Sequence, residues 1–153
     1  GLVGSEMCIR DRARDSIEAW RKDSFVDNIQ PNLNINAASL SWGIEEQELN
    51  ITTIVNINMI HISPWAACLG LMEGAKRILP SGGILYLYGP YKQGGKHTAV
   101  SNESFDQSLR SQNPEWGVRN LEDVIKVAEE KGLIFQEKVE MPANNLSVIF
   151  QKQ

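Results

Sequence analysis

At 153 residues, with 42% hydrophobic and 22% charged residues, the chain has the size and balance of one globular domain able to bury most of its apolar surface. The formal net charge of −4 comes without a basic stripe, so no nucleic-acid partner is expected. No apolar run approaches the roughly 20 residues of a membrane span, no signal-peptide pattern is present, and two cysteines give neither a disulfide framework nor a metal-ligand spacing. A reduced, cytoplasmic setting with no metal and no membrane partner is the expectation.

Residues 1–12, GLVGSEMCIRDR, show neither helical nor strand period and resemble the translated adapter sequence found at the ends of unrelated environmental reads. They are set aside from fold reasoning as a non-native or disordered segment, Cys8 with them. Residues 13–25 predict a helix, with Ile17 and Trp20 on one side and Arg14, Glu18, Arg21 and Lys22 on the other. Leu33 to Asn36 is a short strand candidate. Residues 37–50 read as loop, with Trp42 as a packing anchor.

The stretch from Ile51 to Pro90 organises the rest. Ile51 to Met59 alternates β-branched and polar residues and predicts a strand. Ser63-Pro64 is a helix-start signal, Ser63 as N-cap and Pro64 at the first helical position. Trp65, Cys68, Leu69, Met72, Ala75 and Leu79 follow at helical spacing, and Pro80-Ser81-Gly82-Gly83 stops the run. Ile84 to Tyr88 is a second strand. Strand, helix and strand over about forty residues make a right-handed parallel crossover. In such sheets ligands sit beyond the carboxyl ends of the strands. Those ends carry Asn58, His61, Ser63 and Trp65 on one side and Tyr88, Gly89, Pro90 and Tyr91 on the other.

Residues 91–98 hold Gly94, Gly95, Lys96 and Thr98 but miss the phosphate-loop spacing, since His97 stands where a hydroxyl residue is needed; a mobile loop is expected. Ser101 is placed to cap a short helix through Arg110. Asn120 caps the next, with Asp123 at its third position and Leu121, Val124, Ile125 and Ala128 as its buried stripe; Gly132 is the left-handed stop. Leu133 to Met141 and Leu146 to Phe150 are strands joined by a four-residue connection, hence an antiparallel hairpin.

An α/β sheet closing with a helix and a reversed last strand resembles the class I S-adenosylmethionine-dependent methyltransferase fold, a Rossmann-like sheet with strand order 3-2-1-4-5-7-6. The local sequence is more specific. NINMIHISPWAACLGLMEGAKRILPSGGILYLYGPYK, GGKHTAVSNESFDQSLRSQNPEWGVRNLEDVIKVAEEKGL and EMPANNLSVIF look like the methyltransferase-like 26 family (domain of unknown function 938), over about residues 16–151. The family pattern opens with a strand, a glycine-rich turn and a helix that cradle the cofactor, then a strand ending in an acidic residue. No such turn precedes Ile51, and Asn36 stands where the third strand should end in aspartate. Residues 13–153 therefore read as the C-terminal two-thirds of a methyltransferase-like domain, inactive alone. Two consequences are expected. The strand from Ile51 has an open, apolar edge, and Leu33–Asn36 is loosely placed or shifted onto it.

The resemblance implies S-adenosylmethionine as cofactor, with Asn36, Asn58, Met59, Ile60 and His61 toward it, and a small-molecule or protein methyl acceptor. Methyl transfer from a sulfonium needs alignment and, where a proton is released, a base. His61 is the candidate base, against a purely structural role in the turn. Ser63, Trp65, Tyr88, Tyr91, Asn102, Asn144 and Asn145 are the candidate acceptor pocket; Tyr91 is the favoured aromatic, core packing is the favoured role of Trp65, and Asn144 and Asn145 also suit a turn. A non-catalytic binding or scaffolding module on the same sheet is the alternative. A nicotinamide-dependent oxidoreductase is disfavoured by the reversed terminal hairpin.

Overall fold

The computed structural model describes residues 7–153, with side chains from residue 12 onward; residues 1–6 and the Cys8 side chain lie outside the described part. The first helix, α1 (Met7–Asp23), starts six residues earlier than its sequence period suggested, taking in half of the segment set aside above. Residues 33–36 form no strand, so the expected shift onto the open edge does not occur. The run from Ala37 to Glu45 instead packs on the crossover helix. A Cβ on Gly70 would strike the backbone of Ala37, one on Gly74 would strike the Trp42 ring, and Trp42 Nε1 donates to Ala37 O at 3.2 Å.

β1 (Thr53–Ile57) and β2 (Ile84–Gly89) pair in parallel across α2 (Trp65–Ile78), as the crossover requires. Because residues 37–45 cover the outer side of α2, it buries more than one stripe: Ala67, Leu71 and Gly74 are enclosed along with Cys68, Met72 and Ala75, while Leu69, expected in the core, is exposed. Its N-cap is Pro64 rather than Ser63, whose hydroxyl donates to Met59 O. The expected mobile loop is an ordered hairpin of β3 (Lys92–Gln93) and β4 (Lys96–His97), turned by Gly94 and Gly95 at φ of 60° and 76°. Paired positive φ is the geometry a two-residue hairpin turn demands. α3 (Val100–Gln112) starts after Ala99, not at Ser101, and α4 (Leu121–Glu129) follows Asn120.

The chain closes with β5 (Leu133–Met141), a three-residue turn at Pro142–Asn144, and β6 (Asn145–Lys152). β6 lies between β2 and β5, antiparallel to both, so the sheet runs β1-β2-β6-β5 with one reversed strand. Leu85, Leu87, Val148 and Phe150 project to one face and form the core with α2 and α4. The opposite face carries Val55 and Ile57, 60% and 62% exposed, in register with Tyr86 and Tyr88. Among the described strands β1 is also an edge. Unpaired backbone beside exposed branched side chains is a template for further strand pairing.

Two variants separate the faces. Val55→Thr with Ile57→Thr keeps the β-branch and should slow concentration-dependent light scattering, with the melting temperature held within about 3 °C. Leu87→Ala, on the covered face, should cost about 2–5 kcal/mol in urea unfolding.

Candidate functional site

Both strands of the parallel pair end in backbone that restricts the residue. After β1 the chain turns at Asn58, φ 59°, whose carbonyl accepts the N–H groups of His61 at 3.0 Å and Ile62 at 3.2 Å. Asparagine takes this left-handed conformation more readily than other side-chain-bearing residues. β2 ends in Gly89. A Cβ there would lie 2.7 Å from Asn58 Oδ1 and 3.0 Å from His61 Nε2, so the missing side chain is what lets both groups approach the strand.

His61 is fully enclosed. Its carbonyl accepts the Gly117 N–H at 2.9 Å, and its Nδ1 accepts the Arg119 N–H at 3.2 Å. Its ring meets Tyr91 edge-on, centroids 4.9 Å apart. With Nδ1 accepting, the neutral ring carries its hydrogen on Nε2. Burial, and then the charge of Arg119, push the imidazole pKa down to about 3. The Nε2 donor and the Asn58 Oδ1 acceptor are both buried without a protein partner, side by side at Gly89. Groups so placed are normally satisfied by something.

A cavity of about 220 Å³ opens next to them, lined by Asn58, Pro90, Ser101, Asn102, Phe105, Ala143 and Asn145. Its far wall is a latch between α3 and the hairpin turn. Asn102 Nδ2 donates to Asn144 O at 3.1 Å, and Asn144 Nδ2 donates to Ser101 Oγ at 3.1 Å. The turn holds this shape through two left-handed residues, Ala143 and Asn144.

The structure thus gathers Asn58, Asn102 and Asn145 around one space; neither Asn144, which is exposed, nor His61, which is enclosed, lines it. The other sequence candidates lie elsewhere. Met59, Ile60, Ser63 and Tyr91 are enclosed in packing, and burial raises the Tyr91 phenol. Tyr88 projects to the uncovered sheet face. Trp65 lines a different cavity, under the guanidinium of Arg119. Asn36 is exposed and accepts the Ala38 N–H at 3.0 Å, far from any strand end role.

One cluster escaped sequence reasoning. Asp106 is buried on α3 and accepts from Val118 N–H at 2.8 Å, Arg110 Nε at 3.1 Å and His97 Nε2 at 3.2 Å. Burial pushes its carboxyl up, but these bonds outweigh it and hold the group below the usual range. The Asp106/Arg110 spacing of four was the available signal; the contacts to His97 and Val118 are tertiary. Among the described residues no group of three His, Cys, Asp or Glu is placed to hold a metal ion.

Residues 6–152 match the sequence profile of the family described as Protein of unknown function (DUF938). Among solved structures, the pyocyanin biosynthetic protein PhzM superposes with a TM-score of 0.61 at 13% identity over 92% of this chain and 39% of its own. An O-methyltransferase family protein from Burkholderia thailandensis gives 0.66 at 14% identity over 94% and 41%. Human N-acetylserotonin methyltransferase in complex with SAM gives 0.59 at 14% identity over 66% and 29%. At these identities the likeness is one of fold, and the chain spans about two-fifths of the longer-matching proteins' length.

The enclosed imidazole makes a pH prediction. Its folded pKa of about 3 lies below the ordinary value of 6.5, so the unfolded chain binds the extra proton. Stability is complete above about pH 6.5 and falls as the pH drops toward 3. Between pH 6 and 5 the fall should approach about 1.4 kcal/mol per unit. His61→Gln should flatten that slope in denaturant titrations at stepped pH.

Proposed function

The chain belongs to the DUF938 family, and on that premise we propose that it is the acceptor side of an S-adenosylmethionine-dependent methyltransferase-like protein of the methyltransferase-like 26 type, working in the cytoplasm. The observation that carries this reading is the sheet order β1-β2-β6-β5, with a single reversed strand next to the parallel pair and a polar cavity at that pair's carboxyl ends. The fold is that of O-methyltransferases, one of them solved with SAM. Asn58, Asn102 and Asn145 are the groups that orient an acceptor, a small molecule or a protein side chain reaching into the cavity; neither nucleic acid nor membrane is a partner. No described helix is long and apolar enough to cross a membrane.

His61 serves in this reading as a fixed hydrogen-bond donor through Nε2. A ring whose pKa lies near 3 is a poor acceptor for a proton at neutral pH. The residues present do not fit the cofactor by themselves. Of the five expected toward it, Asn36 is exposed on a coil, Met59 and Ile60 are core, and only Asn58 and His61 offer unpartnered polar atoms. No glycine-rich turn precedes β1 in the 153 residues. The low-pKa histidine also favours a second reading, a binding or scaffolding module without catalysis.

Calorimetric titration of the 153-residue chain with S-adenosylmethionine should show no measurable heat of binding. Micromolar affinity would overturn the view that these residues lack the donor grip. A longer family chain carrying a glycine-rich strand–turn–helix ahead of this stretch should bind it and transfer methyl groups. Asn102→Ala in that chain should lower transfer about tenfold or more with donor affinity kept. Donor binding without transfer to any acceptor would favour the scaffold.

A further inference from the structure

A second cavity, of about 520 Å³, opens where the start of α2, β3, the end of α3 and α4 meet. Four cations from four chain segments line it: Lys92 from β3, Arg110 from α3, Arg119 from the loop before α4, and Lys126 from α4. Asp123 and Glu130 stand on the α4 wall, and Asp123 is already engaged by Asn120 Nδ2 at 3.2 Å. Positive charge is in surplus.

Arg119 is the fixed point of this cavity. Its Nε donates to Ile60 O at 3.0 Å, and its Nη2 donates to Ser63 O at 2.8 Å and Glu115 O at 2.9 Å. The guanidinium carbon sits 5.5 Å from the centre of the Trp65 ring. Three carbonyls and an aromatic face hold the group rigidly, yet among the described residues no carboxylate neutralises it and its Nη1 makes no hydrogen bond. Lys92 and Lys126 likewise form no ion pair among the described residues, and Arg110 is bound to Asp106. Like charges converging on a partly desolvated space repel, and an anion there relieves the repulsion. The bonds made by Nε and Nη2 hold the guanidinium in place and leave the two N–H donors of Nη1 for an oxyanion. Asn120 adds a buried Oδ1 with no donor against it, an acceptor for a hydroxyl or amine.

We propose that this cavity binds a small ligand bearing an oxyanion, phosphate or carboxylate, gripped by Arg119, Lys92 and Lys126, with a hydroxyl or amine donating to Asn120 Oδ1. The site stands apart from the methyl-transfer reading and does not depend on it.

The test is calorimetric titration of the chain in chloride buffer with inorganic phosphate and, separately, with succinate. Saturable binding of at least one is expected; the stronger of the two identifies the oxyanion class. Lys92→Gln with Lys126→Gln should weaken it about tenfold or more, while Lys22→Gln with Lys76→Gln, which removes the same charge from the remote surface, should leave it unchanged. Circular dichroism verifies that both variants stay folded. No saturable binding of either anion, or equal weakening in both variants, overturns the proposal.

Discussion

The carboxyl end of the sheet depends on one tie, between the turn at residues 58–63 and the loop at 113–120. His61 anchors it twice, accepting Gly117 N–H on its carbonyl and Arg119 N–H on its ring. Arg119 returns the contact through its guanidinium to Ile60 O and Ser63 O. Asp106 completes it from α3 by accepting Val118 N–H. Gly117 and Val118 are buried, so their N–H groups need such partners. This stitching holds α3 and α4 over the strand ends, and each of the two cavities takes a wall from it.

The sheet itself is covered on one side. β1 reads TIVNI, apolar at alternate positions and at some of those between, and β2 reads ILYLYG. Strands of parallel sheets carry such sequences because both faces are normally packed. Here Ile54, Leu85 and Leu87 meet α2 and α4, while Val55 and Ile57 face outward beside Tyr86 and Tyr88. The tyrosines soften that face: Tyr86 hydrogen-bonds Ser147 across the β2–β6 pair. The aliphatic pair on β1 has no such compensation.

What could be read from sequence follows from how local each signal is. The crossover, α4 with its Gly132 stop at φ 76°, and the terminal hairpin were all legible, because hydrophobic period and turn chemistry act within a few residues. Residues 33–36 failed as a strand because pairing is a tertiary event; four residues of weak period cannot hold an extended shape without a neighbour. Leu69 failed as core because Trp42 and Ala37, thirty residues away, shifted the buried side of α2. In the site, Asn58, expected toward the cofactor, and Asn102 and Asn145, expected in the acceptor pocket, line one cavity. Tyr91 does not line it, since an aromatic residue at a strand end packs as readily inward as toward a cleft, and Trp65, favoured as core, packs against the core.

The reading of His61 turned on a quantity that no sequence displays. A histidine at a strand's carboxyl end is a base when one nitrogen is open and the other is oriented by an acceptor, which supports the imidazolium. Here the orienting group is an N–H donor, that of Arg119, and a donor fixes the opposite tautomer. The ring then presents N–H at Gly89, and protonation would set a second hydrogen against the Arg119 amide in a space without water access. Enclosure and tautomer therefore act in the same direction, and with Asn58 Oδ1 beside it the site offers one donor and one acceptor. Such an enclosed donor–acceptor pair complements an amide or a hydroxyl in polarity, and it is poorly suited to removing a proton.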